Sequence, residues 1–304
     1  MYHCEYTGAM CGSYAISQAV NENITAAIEL CSGVPFGVSS MKDQYGYSRI
    51  LTVYRDFNAS IDETAPLFGI KIQRLDFDNP EDFVRLLESM TEDEKFILGP
   101  VNMSYLKYLP LYMQYKAADH YLTFLKFNGS LFISDSEGVP LRAVSSPEEL
   151  LLMLSIKDIP ESSGKFTVRK ILSYSKDRIH SEEIRRHTLS MAIKNFYEAE
   201  VSGNGSKSFE VIDEVLHNVH AVKWSVSLYI SIGNYIQRKI IAGEFFESFG
   251  EVSAYFKQAV FEAGYIRMLI RNKQYKGISE WLLKLSQTEK ITASLIAKME
   301  DINL

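Results

Sequence analysis

The pattern of hydrophobic and polar positions changes once along the chain, after residue 158. Before that point, apolar residues recur at helical spacing over residues 11–21 and 24–31, while the runs at 69–77 and 95–100 are typical of strands. The last of these runs ends in a Gly-Pro pair, where we expect the strand to stop. Short helices mixed with short strands predict an α+β domain.

The clearest local signal is a β-hairpin centred on Asn128-Gly129. The segment HYLTFLKFNGSLFISDSEGVP places a strand-like run on each side of this dipeptide, which favours a two-residue type I′ turn. If these two residues form the turn, Leu122 lies opposite Asp135. His120 is then the diagonal neighbour of Asp135 on the same face, roughly 7–8 Å away along the backbone. Because both side chains can cross that gap, the turn alone predicts a His–Asp contact.

The remainder of the chain is helical in pattern. From about Ser181 to the end, the periodicity predicts four or five helices, with no repeat of fixed period. The segment IPESSGK at residues 159–165 is typical of a boundary loop. We therefore expect an α+β domain at residues 1–158, followed by an all-α, mainly helical domain at residues 166–304.

Composition narrows the class of protein. The 304 residues are 46% hydrophobic and 23% charged, which is typical of a globular protein with room for two domains. The formal net charge of −6 disfavours a nucleic-acid binder, and no apolar run reaches the roughly 18 residues of a membrane span. His3, Cys4 and Glu5 stand where a secretion signal would need basic and then apolar residues. We expect a cytoplasmic protein that binds neither nucleic acid nor membrane.

The three cysteines are Cys4, Cys11 and Cys31. They are too few for a disulfide framework, and no His/Cys cluster has metal-site spacing, so we expect no metal and no cofactor on this chain. Cys11 directly precedes a predicted helix, and the small residues after it leave room beside its sulfur. A helix N-terminus and a nearby imidazole both favour the thiolate form of a cysteine.

Cys11, His120 and Asp135 together form a candidate catalytic triad. In such a triad the thiolate attacks, the imidazole moves protons and the carboxylate orients the imidazole. Each residue alone has a simpler explanation: a packed cysteine, a spacer histidine in a strand and an aspartate that forms a turn. Their order and their placement on predicted elements favour catalysis. Cys4 is the alternative nucleophile.

The same residues resemble the papain-like cysteine peptidases, in particular the C39 type. That type has a cysteine heading a helix, a histidine opening a strand, and a following strand that ends at an aspartate, here in ISDSEGVP. More narrowly, CGSYAISQAVNENITAAIELCSGVPFGV is similar to the N-terminal motif of the butirosin-biosynthesis acyltransferase family. Glu29 and Gly33–Phe36 match the acidic residue and the turn of that motif. The resemblance covers about residues 1–145.

This resemblance implies a papain-like fold and an amide synthase. An acyl group would pass from the phosphopantetheinyl thioester of a carrier protein, through Cys11, to an amine or diamine in nonribosomal peptide-like natural-product biosynthesis. A C39-like peptidase and a non-catalytic binding protein on a papain-like scaffold are the alternatives. The stretch from Lys165 to Lys194 holds eight basic and three acidic residues. It offers a docking surface for an acidic carrier protein, although a solvated helix face also explains it.

The substrate-binding residues that we expect in such an enzyme are Glu5, Tyr6 and Asp119. Papain-like enzymes place a glutamine about six positions before the nucleophile to stabilise an oxyanion, and Glu5 occupies that position here. Tyr6, Tyr2 and the Cys11 backbone N–H are the remaining candidate donors. Glu5 and Asp119 are acidic groups that we expect near the mouth of the site, where they suit a cationic amine.

Overall fold

The computed structural model describes residues 11–32, 39–42, 48–51, 57–109, 119–136, 139–144, 146–153, 166–218 and 221–301. The helices in these ranges are α1 Cys11–Val20, α2 Thr25–Ser32, α3 Phe57–Leu67, α4 Pro80–Ser89, α5 Pro147–Met153, α6 Lys176–Ile179, α7 Glu182–Val201, α8 Lys207–Asn218, α9 Ala221–Phe245, α10 Gly250–Arg271 and α11 Ile278–Ala297. The strands are β1 Ser39–Lys42, β2 Ser48–Leu51, β3 Lys71–Phe77, β4 Lys95–Asn102, β5 Asp119–Phe127, β6 Ser130–Asp135, β7 Val139–Ala143 and β8 Phe166–Ser173. The predicted α+β class is confirmed.

The chain divides into two compact units. The first comprises residues 1–25 and 58–181, and the second comprises residues 26–57 and 182–304. The boundary expected at residues 159–165 lies outside the described residues. Two elements do not lie in the unit that we expected. We expected β8 in the helical domain, but it pairs with β3 and β4 in the first unit. We expected α2 in the α+β domain, but most of it belongs to the second unit. Helix α2 belongs to the second unit because it packs there: Leu30 is fully buried in an apolar cluster with residues of α7.

The first unit is built on a six-stranded antiparallel sheet in the order β3-β8-β4-β5-β6-β7. The expectation that the strand at residues 95–100 stops at Gly99-Pro100 is wrong. Instead, β4 continues to Asn102, and its register with β5 shifts between Leu98 and Val101. A bulge there accommodates the proline, which has no N–H for the sheet. A Cβ at Gly99 would collide with the buried Tyr121 ring, so only glycine fits.

The β5–β6 hairpin has the predicted register. Thr123 lies opposite Ser134, and Phe127 lies opposite Ser130, directly beside the turn. Asn128-Gly129 forms that turn with φ angles of 49° and 74°, both in the left-handed region that a type I′ turn requires. The local sequence therefore determines which residues of β5 and β6 become neighbours.

Helix α1 packs against β4, β5 and β6. The apolar spacing predicts one buried stripe, but every residue from Gly12 to Val20 is buried. The Thr123 hydroxyl donates to the Ala15 carbonyl over 2.9 Å, and the Tyr14 and Ser134 hydroxyls lie 3.4 Å apart. These contacts hold α1 at a fixed position on the sheet.

The second unit contains five long helices in its described part, α7 to α11, in agreement with the predicted four or five. One apolar cluster joins residues of α8, α9, α10 and α11, and another joins α7, α9, α10 and α11 with Leu30 of α2. A charged pair lies inside this unit. The fully buried Lys239 ammonium is 2.7 Å from Glu289, whose other oxygen accepts from the Tyr235 hydroxyl.

Candidate active site

His120 and Asp135 meet in the interior of the first unit. His120 is the second residue of β5, and Asp135 ends the adjoining β6. Their side chains are 3% and 0% exposed, and His120 Nε2 lies 2.7 Å from Asp135 Oδ1. The contact that the hairpin register predicts is therefore present. An imidazole with one nitrogen held by a buried carboxylate has a fixed ring orientation.

Cys11 is the second partner of the His120 ring. It is the first residue of α1 and is half-buried, and its side chain hydrogen-bonds the His120 ring. Burial by itself lowers the pKa of His120, but the charges of Asp135 and Cys11, with hydrogen bonds to both, raise it well above 6.5. The three side chains of the candidate triad thus converge within one unit. Their arrangement places the His120 ring between the Asp135 carboxylate and the Cys11 side chain.

Tyr108 is a site residue that the sequence analysis missed. Its hydroxyl donates to Asp135 Oδ2 over 2.7 Å, so each oxygen of that carboxylate has a defined partner. Burial, together with the Asp135 charge, raises the pKa of Tyr108 far above its usual 10, so its hydroxyl stays protonated. The Arg142 guanidinium lies 5.0 Å from the Tyr108 ring and is 2.5 Å from Glu149. The signal in the sequence was the tyrosine-rich run before His120, whose spacing does not identify which tyrosine faces the site.

That tyrosine-rich run spans residues 102–115, and its sequence is equally consistent with a lid segment and with amphipathic core packing. The described part of this run ends at Leu109, and it packs into the core. Met103, Leu106 and Leu109 are buried in the main apolar cluster of the first unit. The part after Leu109 lies outside the described residues, so a lid there stays a prediction.

The three predicted substrate-binding residues are described only in part. Glu5 and Tyr6 lie outside the described residues, as does the alternative nucleophile Cys4. The backbone of Asp119 opens β5 opposite Asn102, whereas its side chain is outside the description. Their roles toward an oxyanion or an amine stay predictions.

Two residues of the resemblance motif, Glu29 and Cys31, belong to the second unit. Glu29 is fully buried, with Oε2 3.7 Å from the Arg238 guanidinium, and Gly33–Phe36 lie outside the described residues. Cys31 is buried beside the Thr188 hydroxyl at 3.7 Å, and burial raises its pKa to about 11. At neutral pH, Cys31 is therefore a packed thiol rather than a nucleophile.

The basic stretch from Lys165 to Lys194 carries less free charge than its composition suggests. Arg169 is buried and bonds both oxygens of Asp62, at 2.6 and 3.0 Å. Lys170 pairs with Glu94, and Lys176 pairs with Glu22. Three of the eight cations are thus neutralised within the first unit, which favours the structural explanation of those three. Docking of an acidic partner on the others stays a prediction.

The described part of the chain has the features of neither a metal site nor a membrane span. There, no three His, Cys, Asp or Glu side chains are grouped as a metal ion would require. No helix in the same ranges combines the length and the apolarity needed to cross a bilayer. The Cys11–His120–Asp135 group is the candidate active site.

Comparison with known proteins does not assign a family. No protein-family model matches the chain, and no curated protein matches it. The resemblance to papain-like acyltransferases thus stays a prediction from residues 1–145, and the functional case depends on the geometry of the site.

Proposed function

We propose that the chain is a papain-like acyltransferase that forms amide bonds through an acyl-Cys11 intermediate. The observation that best supports it is the buried His120 ring, held between the Asp135 carboxylate and the Cys11 side chain. A buried imidazolium paired with a cysteine is the arrangement that generates a nucleophilic thiolate. The acyl donor is a thioester on the phosphopantetheine arm of a carrier protein.

In the first step, the Cys11 thiolate attacks the carbonyl carbon of the carrier thioester. A C–S bond forms to Cys11, and the negative charge moves to the carbonyl oxygen. When this intermediate collapses, the bond to phosphopantetheine breaks, and the departing thiolate takes the proton from His120. Cys11 then carries the acyl group, and His120 is neutral.

In the second step, an amine in its neutral form attacks the acyl-Cys11 carbonyl. His120 accepts a proton from the attacking nitrogen, an amide bond forms and Cys11 leaves as a thiolate. The cysteine–imidazolium pair is thereby restored. Asp135 stabilises the charged ring at the start and the end of this cycle.

Candidate residues for the rest of the site come from the sequence. The Cys11 backbone N–H and Tyr6 are the proposed donors to the oxyanion, because Glu5 replaces the usual glutamine. Glu5 and Asp119 are proposed to attract a cationic amine or diamine to the mouth of the site. The biological setting that suits this chemistry is nonribosomal peptide-like natural-product biosynthesis.

Intact-protein mass spectrometry with a carrier-bound acyl thioester tests the proposal. We expect the wild type to gain the mass of one acyl group, and an added diamine to remove it while amide product appears. Cys11→Ala should gain no acyl mass. Cys31→Ala is the matched control, since that thiol is buried in the second unit, and it should acylate as the wild type does.

The other outcomes identify the alternatives. An adduct that persists in Cys11→Ala assigns the nucleophile to Cys4. Hydrolysis of the adduct at an equal rate with and without amine, together with cleavage of carrier-free peptides, indicates a C39-like peptidase. Neither adduct nor product with several carriers contradicts an enzyme of this class and favours a binding protein.

A further inference from the structure

We propose that Tyr108 is a positioning residue of this site, whose hydroxyl fixes the Asp135 carboxylate so that Oδ1 faces His120. The inference rests on the proposed function in one respect, namely that Cys11 is the reactive thiol. It assigns a role to a residue outside the triad that acts through its hydrogen bond to Asp135.

The two oxygens of Asp135 define the geometry. Oδ1 is 2.7 Å from His120 Nε2, and Oδ2 is 2.7 Å from the Tyr108 hydroxyl. A carboxylate attached to one partner can rotate about its Cβ–Cγ bond, whereas one that is held at both oxygens cannot. Because the Asp135 side chain is 0% exposed, water does not replace a lost donor at low cost. Loss of the tyrosine hydroxyl therefore disfavours the ionised carboxylate as well as its orientation.

Tyr108 is itself held in place by its neighbours. Asn102 Oδ1 accepts from the Ser104 backbone N–H at 2.9 Å and from its hydroxyl at 2.7 Å, which caps the 3₁₀ turn at Met103–Tyr105. Leu106 and Leu109, on either side of Tyr108, are buried in the core. The tyrosine is thus presented to Asp135 by a packed segment.

The charged groups around Tyr108 keep it a donor. Asp135 faces its hydroxyl, while Arg142, above the ring, pairs with Glu149. Burial is the largest cause of its raised pKa, and the negative charges of Asp135 and Glu149 add to it against the opposing Arg142. The hydroxyl therefore donates at every pH at which the cysteine can be assayed.

The test is the pH dependence of Cys11 alkylation by iodoacetamide, with peptide mass mapping to separate Cys11 from the other cysteines. Rates are measured from about pH 4 to about pH 9. In Tyr108→Phe, we expect the acidic limb of the profile to move to higher pH by about one unit, which is about a tenfold slower reaction at a pH on that limb. The control is Tyr121→Phe, a buried tyrosine next to His120 in β5 whose side chain alternates to the other face of the sheet. Its profile should coincide with that of the wild type.

A Tyr108→Phe profile that coincides with the wild type, or moves to lower pH, overturns the inference. Replacement of Tyr108 by 3-fluorotyrosine keeps the test decisive if the phenylalanine variant does not fold. The fluorinated phenol has nearly the same size as that of tyrosine and is a stronger hydrogen-bond donor. The acidic limb of the Cys11 alkylation profile should therefore move to lower pH in the fluorotyrosine protein. No movement with fluorotyrosine also overturns the inference.

The alkylation assay needs no acyl donor, so it separates the two proposals. Absence of amide synthesis alongside the expected Tyr108 shift would refute the proposed function and leave the positioning role intact. Amide synthesis with an unmoved Tyr108→Phe profile would refute the positioning role alone.

Discussion

Two buried clusters in this molecule share one arrangement of groups and differ in their surroundings. In the first unit, Asp135 accepts from a tyrosine hydroxyl at one oxygen and lies against an imidazole nitrogen at the other. In the second unit, Glu289 accepts from the Tyr235 hydroxyl at one oxygen and from the Lys239 ammonium at the other. Each carboxylate is therefore buried with a neutral donor and a cationic partner.

The two clusters differ in the chemical nature of the cation and in the side chains around it. The Lys239 ammonium is enclosed by aromatic rings whose centroids lie 5.1–5.5 Å away, namely those of Phe196, Tyr235 and Phe256. This cluster joins α7, α9, α10 and α11, and these side chains include no cysteine. In the first unit the cation is the His120 ring, a side chain suited to proton transfer, and the half-buried Cys11 lies beside it.

The comparison teaches that a tyrosine–carboxylate–cation group does not by itself indicate catalysis. Buried ion pairs occur as structural elements, and their burial opposes the electrostatic gain. A reactive site further requires a cation that can exchange its proton and a nucleophile that can reach substrate. Of the two clusters, the one around His120 combines an imidazole with a half-buried thiol, the two groups that the proposed function needs.

The largest effect is expected when the cation of the first cluster is replaced. His120→Gln should slow acyl transfer to the amine by about 10²–10⁴-fold, because it removes the proton carrier. The loss of stability should be smaller, since the glutamine amide can still donate to Asp135. Single-turnover acylation and urea unfolding measure the two effects. A rate within tenfold of the wild type would contradict the role assigned to His120.

Replacement of the cation in the second cluster should act on stability instead. Lys239→Met leaves Glu289 buried without its cation, so the free energy of unfolding should fall by about 3–5 kcal/mol in urea titrations. Acylation by the folded variant should equal that of the wild type. The control is Lys194→Met, because Lys194 is 63% exposed and its carboxylate partner is 3.8 Å away, so its loss should cost about 0–1 kcal/mol.

The same cluster offers a rescue experiment. Adding Glu289→Leu and Tyr235→Phe to Lys239→Met removes the buried charge and the hydroxyl together, which should restore much of the lost stability. If Lys239→Met costs no more than Lys194→Met, the buried pair is not the structural element that we infer.

The His120–Asp135 contact of the first cluster could be predicted from the sequence because it depends on a local turn. Asn128-Gly129 fixes the hairpin register, and the register places His120 beside Asp135. The contact between Tyr108 and Asp135 could not be predicted in the same way, because Tyr108 lies in an irregular segment whose direction depends on packing against the core. The insertion of β8 between β3 and β4 likewise depends on long-range pairing.

The second cluster was beyond sequence reasoning for a related reason. Lys239 and Glu289 lie on separate helices, and helical periodicity identifies a face without identifying its partner. A lysine and a glutamate in helices are also far more often exposed than buried. Only the packed structure shows that these two meet.

The pH dependence of stability should distinguish the clusters further. Because the pKa of His120 is raised in the folded protein, its contribution is fully present below the unfolded value of about 6.5 and is lost as pH rises through the raised value. The urea midpoint of the wild type should therefore fall as pH increases above about 6.5. The fall of the urea midpoint with pH should be shallower in His120→Gln than in the wild type, and in Lys239→Met it should be as steep as in the wild type. Equal slopes in all three proteins would show that His120 is not charged in the folded state.

The smallest expected effect concerns the turn on which the first cluster depends and the second does not. Gly129 has a φ of 74°, and a Cβ added there would meet nothing within 4 Å, so Gly129→Ala introduces backbone strain without a clash. We expect a loss of about 1 kcal/mol in the free energy of unfolding, with an unchanged alkylation profile at Cys11. Urea unfolding measures the loss. A much larger loss together with a slower Cys11 would show that the hairpin register had slipped, because His120 and Asp135 would then no longer be neighbours.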